Sequence, residues 1–204
     1  MQYQITDLKK TDAKRVEICL NGEIFLWLYQ GEARSLSLTK GMILSEEQYE
    51  NLLHGVIGKR AIKRAVHLIE RQERTERQLR EKLSLSEYPE EAVEDAVSYV
   101  KKRRYLDDER YARTFIRFHQ TERSKMRLKS DLIKRGVSKD VIERCIEEEF
   151  SSDEKAQIRA LLEKKGFSQS EADRNESRKM YQFLMRRGFR SSDILAVMNQ
   201  NEDA

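Results

Sequence analysis

The sequence predicts a mainly α fold of three tandem three-helix repeats, preceded by a small N-terminal β-hairpin or three-stranded element. Three observations carry that prediction. A pattern Leu-x3-Leu-x3-Gly-apolar recurs three times along the chain. One Pro and eight Gly among 204 residues leave long stretches rich in Glu, Lys, Arg and Leu, which favour helix by intrinsic propensity. Two β-prone runs flank Asn21-Gly22, a pair suited to the positive φ angles of a type I′ turn.

At the N-terminus, residues 3–8 alternate loosely and read as a first strand. Val16, Ile18 and Leu20 alternate with Arg15, Glu17 and Cys19, and the run from Ile24 to Leu28 returns after the turn. Trp27 in that second run reads as a packing residue between elements. Leu36 and Leu38 precede a turn at Thr39-Lys40-Gly41, after which Met42-Ile43-Leu44 offers a short extended piece. A hairpin alone is marginal, so a third strand and packing on the following helices are expected. Ser45-Glu46-Glu47-Gln48 is a capping box opening a helix to about His54.

The first repeat begins with a helix from about Gly58 to Glu70, its apolar face drawn from Ile62, Ala65, Val66 and Ile69. A second capping box, Thr75-Glu76-Arg77-Gln78, starts a helix carrying Leu79 and Leu83. Pro89 marks the first turn of a third, burying Val93, Ala96, Val97 and Val100.

Tyr105 to Phe150 is the best-defined unit. Asp107 and Asp108 open its first helix, where carboxylates meet free N–H groups at the positive end of the helix dipole. Tyr111, Ala112, Phe115, Ile116 and Phe118 supply its apolar stripe. Tyr105, Tyr111 and Phe118 interleave with basic residues, yet at helical spacing they read as core rather than as base-stacking platforms. Ser124 caps a second helix that buries Leu128, Leu132 and Ile133, and Gly136-Val137 forms a Schellman stop. Ser138 caps a third helix with Val141, Ile142, Cys145 and Ile146.

An offset of 49 places Leu128 on Leu79, Leu132 on Leu83, Val137 on Tyr88, Ile142 on Val93 and Ile146 on Val97, with Glu87 in the Gly position. An offset of 52 in the other direction places Leu128 on Met180, Leu132 on Leu184, Gly136 on Gly188, Val137 on Phe189, Ile142 on Ile194 and Ile146 on Met198. The last copy starts at Ser151-Ser152-Asp153-Glu154 and runs through Ile158, Leu161 and Leu162 to Gly166. A longer polar link spans Ser168 to Glu176, and Asn201 to Ala204 are expected to fray. Repeats of this kind stack on their neighbours into an elongated body. The expected organisation is an N-terminal region over 1–57 and repeats over 58–104, 105–150 and 151–204.

The charged fraction of 37% and mean hydropathy of −0.81 indicate thin cores. Net charge is only +4, but it alternates in blocks: +5 over 59–82, −5 over 83–100, +8 over 101–135, −5 over 136–154 and +3 over 155–204. Intrahelical pairing can cancel part of this, though not +8 within thirty-five residues. Repeats stacked in one orientation would gather positive charge on one face.

No apolar run approaches the roughly 20 residues of a membrane span, and no signal peptide opens the chain. A cytoplasmic, membrane-free protein is expected. Cys19 and Cys145 lack metal or redox spacing and read as small buried hydrophobes. There is no phosphate loop, G-x-S-x-G or H-E-x-x-H motif, and the three His are far apart. Asp107-Asp108-Glu109 suits capping better than metal binding. The expectation is a protein that is not an enzyme and carries no metal and no cofactor. What remains is a binding surface, with Arg103, Arg104, Lys125, Arg127, Lys129, Lys134 and Arg135 as candidate partner contacts suited to phosphates or carboxylates.

Leu106-Asp107-Asp108-Glu109-Arg110-Tyr111-Ala112 resembles the L-D-D-x-R-[FY]-A signature of the RecX family. Arg127-Leu128, Asp131-Leu132 and Lys134-Arg135-Gly136-Val137 are similar to that family's R-[IL]-x2-[ED]-L-x2-[KR]-G-[IV] segment. Arg74-Thr75-Glu76, Leu79 and Leu83 resemble its first-repeat motif. The sequence departs from the family pattern at Ser124-Lys125, Glu87 and Arg104, where Gly is common. The resemblance implies a curved rod of three repeats that binds along the RecA filament on DNA and inhibits its ATPase, strand exchange and growth, in DNA repair and recombination. It implies RecA as partner and a monomer, with direct DNA contact a weaker element. The alternative from composition alone is a stand-alone nucleic-acid-binding repeat protein. On this reading, replacing Lys125, Arg127 and Lys129 together with Ala should leave stability nearly unchanged.

Overall fold

The structure, a computed structural model, describes residues 3–168 and 172–199. Asn201 to Ala204, expected to fray, lie outside the described residues, as does part of the Ser168–Glu176 link. The chain divides into two units, Met1–Asp107 and Asp108–Ala204.

The first unit opens with β1 (Tyr3–Lys10), β2 (Arg15–Leu20) and β3 (Glu23–Tyr29). A short helix α1 (Gln30–Ser35) and the two-residue strand β4 (Ile43–Leu44) follow. The sheet is antiparallel and four-stranded, in the order β3-β2-β1-β4, one strand more than expected. Helix α1 is also an addition to the sequence reading. Asn21 and Gly22 take φ angles of 53° and 93° and close the β2–β3 hairpin. Strand alternation turns Val16, Ile18 and Leu20 inward with Leu26 and Leu28 opposite. Cys19 therefore points to the other face and is half-buried rather than core, whereas Cys145 is buried; both are free thiols.

Trp27 lies between two guanidinium groups, those of Arg15 at 4.1 Å and Arg60 at 3.9 Å from its ring centroid. Arg60 also donates to the Trp27 carbonyl (2.9 Å) and to Glu32 Oε2 (2.7 Å). One side chain thus ties the following helix to the sheet.

The capping box at Ser45 forms as expected, with Gln48 N donating to Ser45 Oγ at 3.1 Å. The helix it starts does not end near His54. α2 (Glu46–Glu50) passes through a π-helical segment, Asn51–Gly58, directly into α3 (Lys59–Arg71). Leu52, Leu53 and Ile57 are buried and hold the segment on the core, while the wider π turn absorbs the extra residues. A Cβ on Gly58 would stand 2.5 Å from Asp95 Oδ2 and would push that carboxylate aside. The same Asp95 accepts from His54 Nδ1 at 2.5 Å, and His54 Nε2 lies 3.3 Å from Glu50.

These contacts raise the His54 pKa, the Asp95 hydrogen bond being the chief cause. A raised pKa stabilises the fold below the unfolded value near 6.5 and ceases to do so as pH climbs through the folded value. The Tm advantage of wild type over His54→Gln should therefore be largest in mildly acidic buffer and shrink on alkalinisation. A difference independent of pH would contradict this.

The first repeat is α3 with α4 (Glu76–Ser84) and α5 (Glu90–Lys102). In α3 the fully buried positions are Ala61, Ala65 and Leu68, with Ile62, Val66 and Ile69 on the half-buried flank. Small side chains at the centre of the stripe allow closer approach to α5. Pro89 occupies the N-cap rather than the first helical turn. Sheet and repeat share one core, in which Ile5, Ile18 and Leu28 join Leu79, Leu83, Val93 and Val97.

Glu87 has φ 61°, the left-handed angle that Gly136 (88°) and Gly188 (84°) hold in the other repeats, and Arg104 has φ 57°. The Glu87 side chain is 72% exposed, with Arg15 at 3.9 Å. Glu87→Gly should raise stability by about 0.5–1 kcal/mol through relief of the left-handed strain, partly offset by chain entropy. Equal or lower stability in a urea melt would refute this.

In the second unit, α6 (Asp108–His119), α7 (Lys125–Lys134) and α8 (Lys139–Glu149) enclose Ala112, Phe115, Ile116, Leu128, Leu132, Val137, Ile142, Cys145 and Ile146. Phe118 and Ile133, expected inside, are 77% and 45% exposed. Ile133 lies one residue, about 100°, round the helix from Leu132, off the buried stripe. Phe118 falls on the flank it shares with Tyr111. Tyr105 is exposed as well. Ser138 has N-cap geometry but makes no side-chain cap bond.

The third repeat is α9 (Glu154–Lys164), α10 (Arg174–Arg186) and α11 (Ser191–Asn199), around Ile158, Leu162, Leu184, Phe189 and Ile194. Asp153 caps α9. Asp173 caps α10 in a capping box with Glu176, so the link from Ser168 is shorter than the sequence suggested.

Candidate partner-binding surface

The family-like signature straddles the two units. Leu106 is buried in the first unit's core, whereas Ala112 and Phe115 belong to the second's. Asp107 directly precedes α6, Asp108 begins it, and Arg110 is exposed on its first turn. The Tyr111 hydroxyl accepts from Arg135 Nε at 3.1 Å. Leu128 and Leu132 are fully buried, and Gly136 is left-handed, with Val137 N donating to Leu132 O at 3.2 Å to complete the Schellman stop. The signature residues are thus mainly architectural.

The seven candidate basic residues divide by what they touch. Arg103 and Arg104 lie in the first unit, at the end of α5, where the Arg103 guanidinium stacks on Tyr99 at 3.8 Å. The other five lie on or beside α7. Ser124 Oγ accepts from Arg127 N (3.1 Å) and fixes the start of that helix. Asp131, buried on α7, accepts from Arg123 Nη1 at 3.0 Å and Arg127 Nε at 3.2 Å. Arg135 donates to the Asp131 carbonyl at 3.0 Å and lies 4.5 Å from the Phe115 ring. Lys129 is paired with Glu143 on α8. The equivalent pair in the first repeat is Arg80 with Glu94 (2.8 Å), so this contact belongs to the repeat's own packing.

Lys125 and Lys134 are exposed, with the Lys125 ammonium 5.2 Å from the Phe150 ring. Among the described residues Lys134 makes no ion pair. The triple change of Lys125, Arg127 and Lys129 to Ala is therefore not neutral. It removes one of two partners of the buried Asp131 carboxylate, and stability should fall.

A second network joins α6 to α8. Arg113 bonds Glu109 (2.7 Å), Glu148 and Glu149 (3.2 Å), Arg117 reaches Glu149 (2.5 and 2.7 Å), and Arg144 reaches Glu109 (2.7 Å). Glu149 and Glu109 are held below the usual carboxylate range, chiefly by hydrogen bonds from Arg117 and Arg113 respectively. This pairing offsets only part of the +8 block, because Glu148 and Glu149 are the acids it brings in from outside residues 101–135. Sequence charge counts could not reveal it, because the partners come from a different helix.

Sequence reasoning also missed a cleft between α7 and α10 lined by Met126, Arg127, Ser130, Met185, Arg186 and Gly188. Among the described residues no group of three or more His, Cys, Asp or Glu side chains is placed to hold a metal ion. No helix among them is long and apolar enough to cross a membrane.

Comparison with known proteins settles the kinship. Residues 61–99, 107–146 and 153–198 match, in order, the first, second and third three-helix domains of RecX. The chain belongs to the RecX family. It is 30% identical over 194 residues to Regulatory protein RecX of Caldanaerobacter subterraneus subsp. tengcongensis, covering 94% of this chain and 96% of that one. It is 34% identical over 139 residues to Regulatory protein RecX of Clostridium botulinum (strain Alaska E43 / Type E3), covering 67% and 66%. A crystal structure of regulatory protein RecX superposes with a TM-score of 0.62 at 21% identity, covering 97% of this chain and 99% of the other, and so shares its fold. The three RecX-type helical domains follow a small antiparallel sheet, as the sequence predicted.

Proposed function

We propose that this protein is a non-enzymatic regulator that binds the RecA recombinase filament on DNA. Through that binding it inhibits ATP hydrolysis, strand exchange and filament growth in DNA repair and recombination. The observation that carries the reading is the near end-to-end similarity to a regulatory protein RecX, with all three helical domains present in order. We read it as a cytoplasmic monomer without a cofactor.

The exposed residues among the seven are Lys125 and Lys134 on α7, with Arg103 and Arg104 in the first unit. Arg127, Lys129 and Arg135 act first as internal braces, and contribute to recognition through the positive potential they leave at the surface.

Sedimentation of RecA preassembled on single-stranded DNA tests the binding step. The protein should pellet with the filament and stay in solution when RecA is omitted. Its remaining in the supernatant with filament present would contradict the reading.

A second reading, stand-alone nucleic-acid binding, draws on the +8 block over residues 101–135 and on the helix-turn-helix-like pairs of the repeats. It predicts tight DNA binding without RecA that weakens steeply with salt, as displaced counterions return. The net charge of +4 and the extensive internal pairing favour the first reading.

A further inference from the structure

We propose that the cleft between α7 and α10 docks an acidic protein segment that inserts an apolar side chain. On the reading above, that segment belongs to the RecA filament, and the inference rests on that reading.

The cleft sets two solvent-open methionines among Arg127, Ser130 and Arg186. Met126 is 60% exposed and Met185 42%, and both line the cleft with Ser130. Ile133, 45% exposed, continues the same face of α7, because positions 126, 130 and 133 follow the i, i+4, i+7 spacing. Single exposed apolar residues are ordinary, but two from different helices meeting in one depression, with a third beside them on α7, mark a contact site. The thioethers of Met126 and Met185 suit such a role, since unbranched flexible side chains can mould to an incoming group.

The repeats do not share this feature. The position of Met126 is Arg77 in the first copy and Arg178 in the third. Repeat packing therefore does not require a methionine there.

The surroundings select the partner's charge. From Arg123 to Arg135 there are six basic residues and one acid, Asp131, which is buried and already bonded to two arginines. From Ser177 to Arg190 there are five basic residues and no acid. Among the described residues neither Arg186 nor Lys134 makes an ion pair, and both are exposed. A partner with carboxylates around an apolar side chain would meet the basic residues and the methionines together. A phosphate backbone would meet the basic side chains alone and leave Met126 and Met185 without apolar cover, so the two methionines favour protein over nucleic acid.

The test uses the full chain, labelled with a fluorophore, titrated with RecA filaments on single-stranded DNA. M126E/M185E should weaken binding by about tenfold or more, as charges placed in a central apolar contact do, while M126L/M185L binds like wild type. R186E alters an exposed rim position and should weaken binding about fivefold, which keeps the test valid if the double variant fails to fold. Binding by M126E/M185E or R186E within twofold of wild type overturns the cleft assignment and leaves the proposed function standing. Failure of wild type itself to bind the filament overturns both. A parallel titration with the oligonucleotide alone separates the remaining case. If M126E/M185E weakens that binding as much as filament binding, the occupant is nucleic acid and the proposal is overturned.

Discussion

Leu132→Ala should lower stability by about 2–5 kcal/mol, the range for deleting a buried leucine side chain and leaving a cavity. Leu132 is fully buried in a core cluster of nine residues, where no surplus of apolar surface can close the gap. It also accepts the Val137 N–H that completes the turn after α7, so the helix end and the core meet at this residue. The neighbouring Ile133 provides the control. At 45% exposure, Ile133→Ala should change stability by no more than about 0.5 kcal/mol. Urea denaturation of both variants checks the pair. Equal losses would mean that α7 is rotated relative to the structure described.

Gly188→Ala should cost about 2–4 kcal/mol, from left-handed strain together with overpacking. Gly188 has φ 84°, and an added Cβ would stand 2.7 Å from both Ser124 Oγ and Arg127 Cβ and 3.0 Å from Arg127 N. Two of those atoms form the start of α7. Ser124 Oγ accepts from Arg127 N and donates to the Gly188 carbonyl at 2.5 Å, while Ser124 N donates to the Arg187 carbonyl at 3.3 Å. The turn after α10 is thereby seated on the N-terminus of α7, where carbonyl oxygens meet the positive end of the helix. Gly166 separates the two causes. It is also left-handed, φ 62°, but a Cβ there meets nothing within 4 Å. Gly166→Ala should therefore cost only about 1 kcal/mol. Comparable losses at both positions would show that close approach at Gly188 contributes little.

Much of the fold was legible because its determinants are local. Capping boxes at Ser45 and Thr75, the Asn21-Gly22 turn and the recurring Leu-x3-Leu each act within a few residues. The repeat offset even marked Glu87 as standing where the other copies have Gly, and its left-handed angle follows from that equivalence. What the sequence misplaced depends on neighbours distant along the chain. The helix does not stop near His54 because Leu52 and Ile57 are pinned to a core built from the sheet and α5. Ile133 and Phe118 look buried by type, but only the packing of the other helices decides which edge of an apolar stripe stays open.

The candidate site was harder to read for the same reason. Seven basic residues could be named, but not that Asp131 is buried beneath Arg123 and Arg127 or that Glu143 holds Lys129. Charge counted along a chain overstates charge available at a surface when the partners come from another helix. The exposed methionines carry no sequence signal that separates them from core residues. Their role emerges only once α7 and α10 stand side by side.

The central claim is that this RecX-family protein acts on the RecA filament, and RecA's ATP hydrolysis on single-stranded DNA measures it most directly. Added to preassembled filaments, the purified protein should suppress turnover at substoichiometric ratios to RecA. Turnover unchanged at an equimolar ratio would contradict the account.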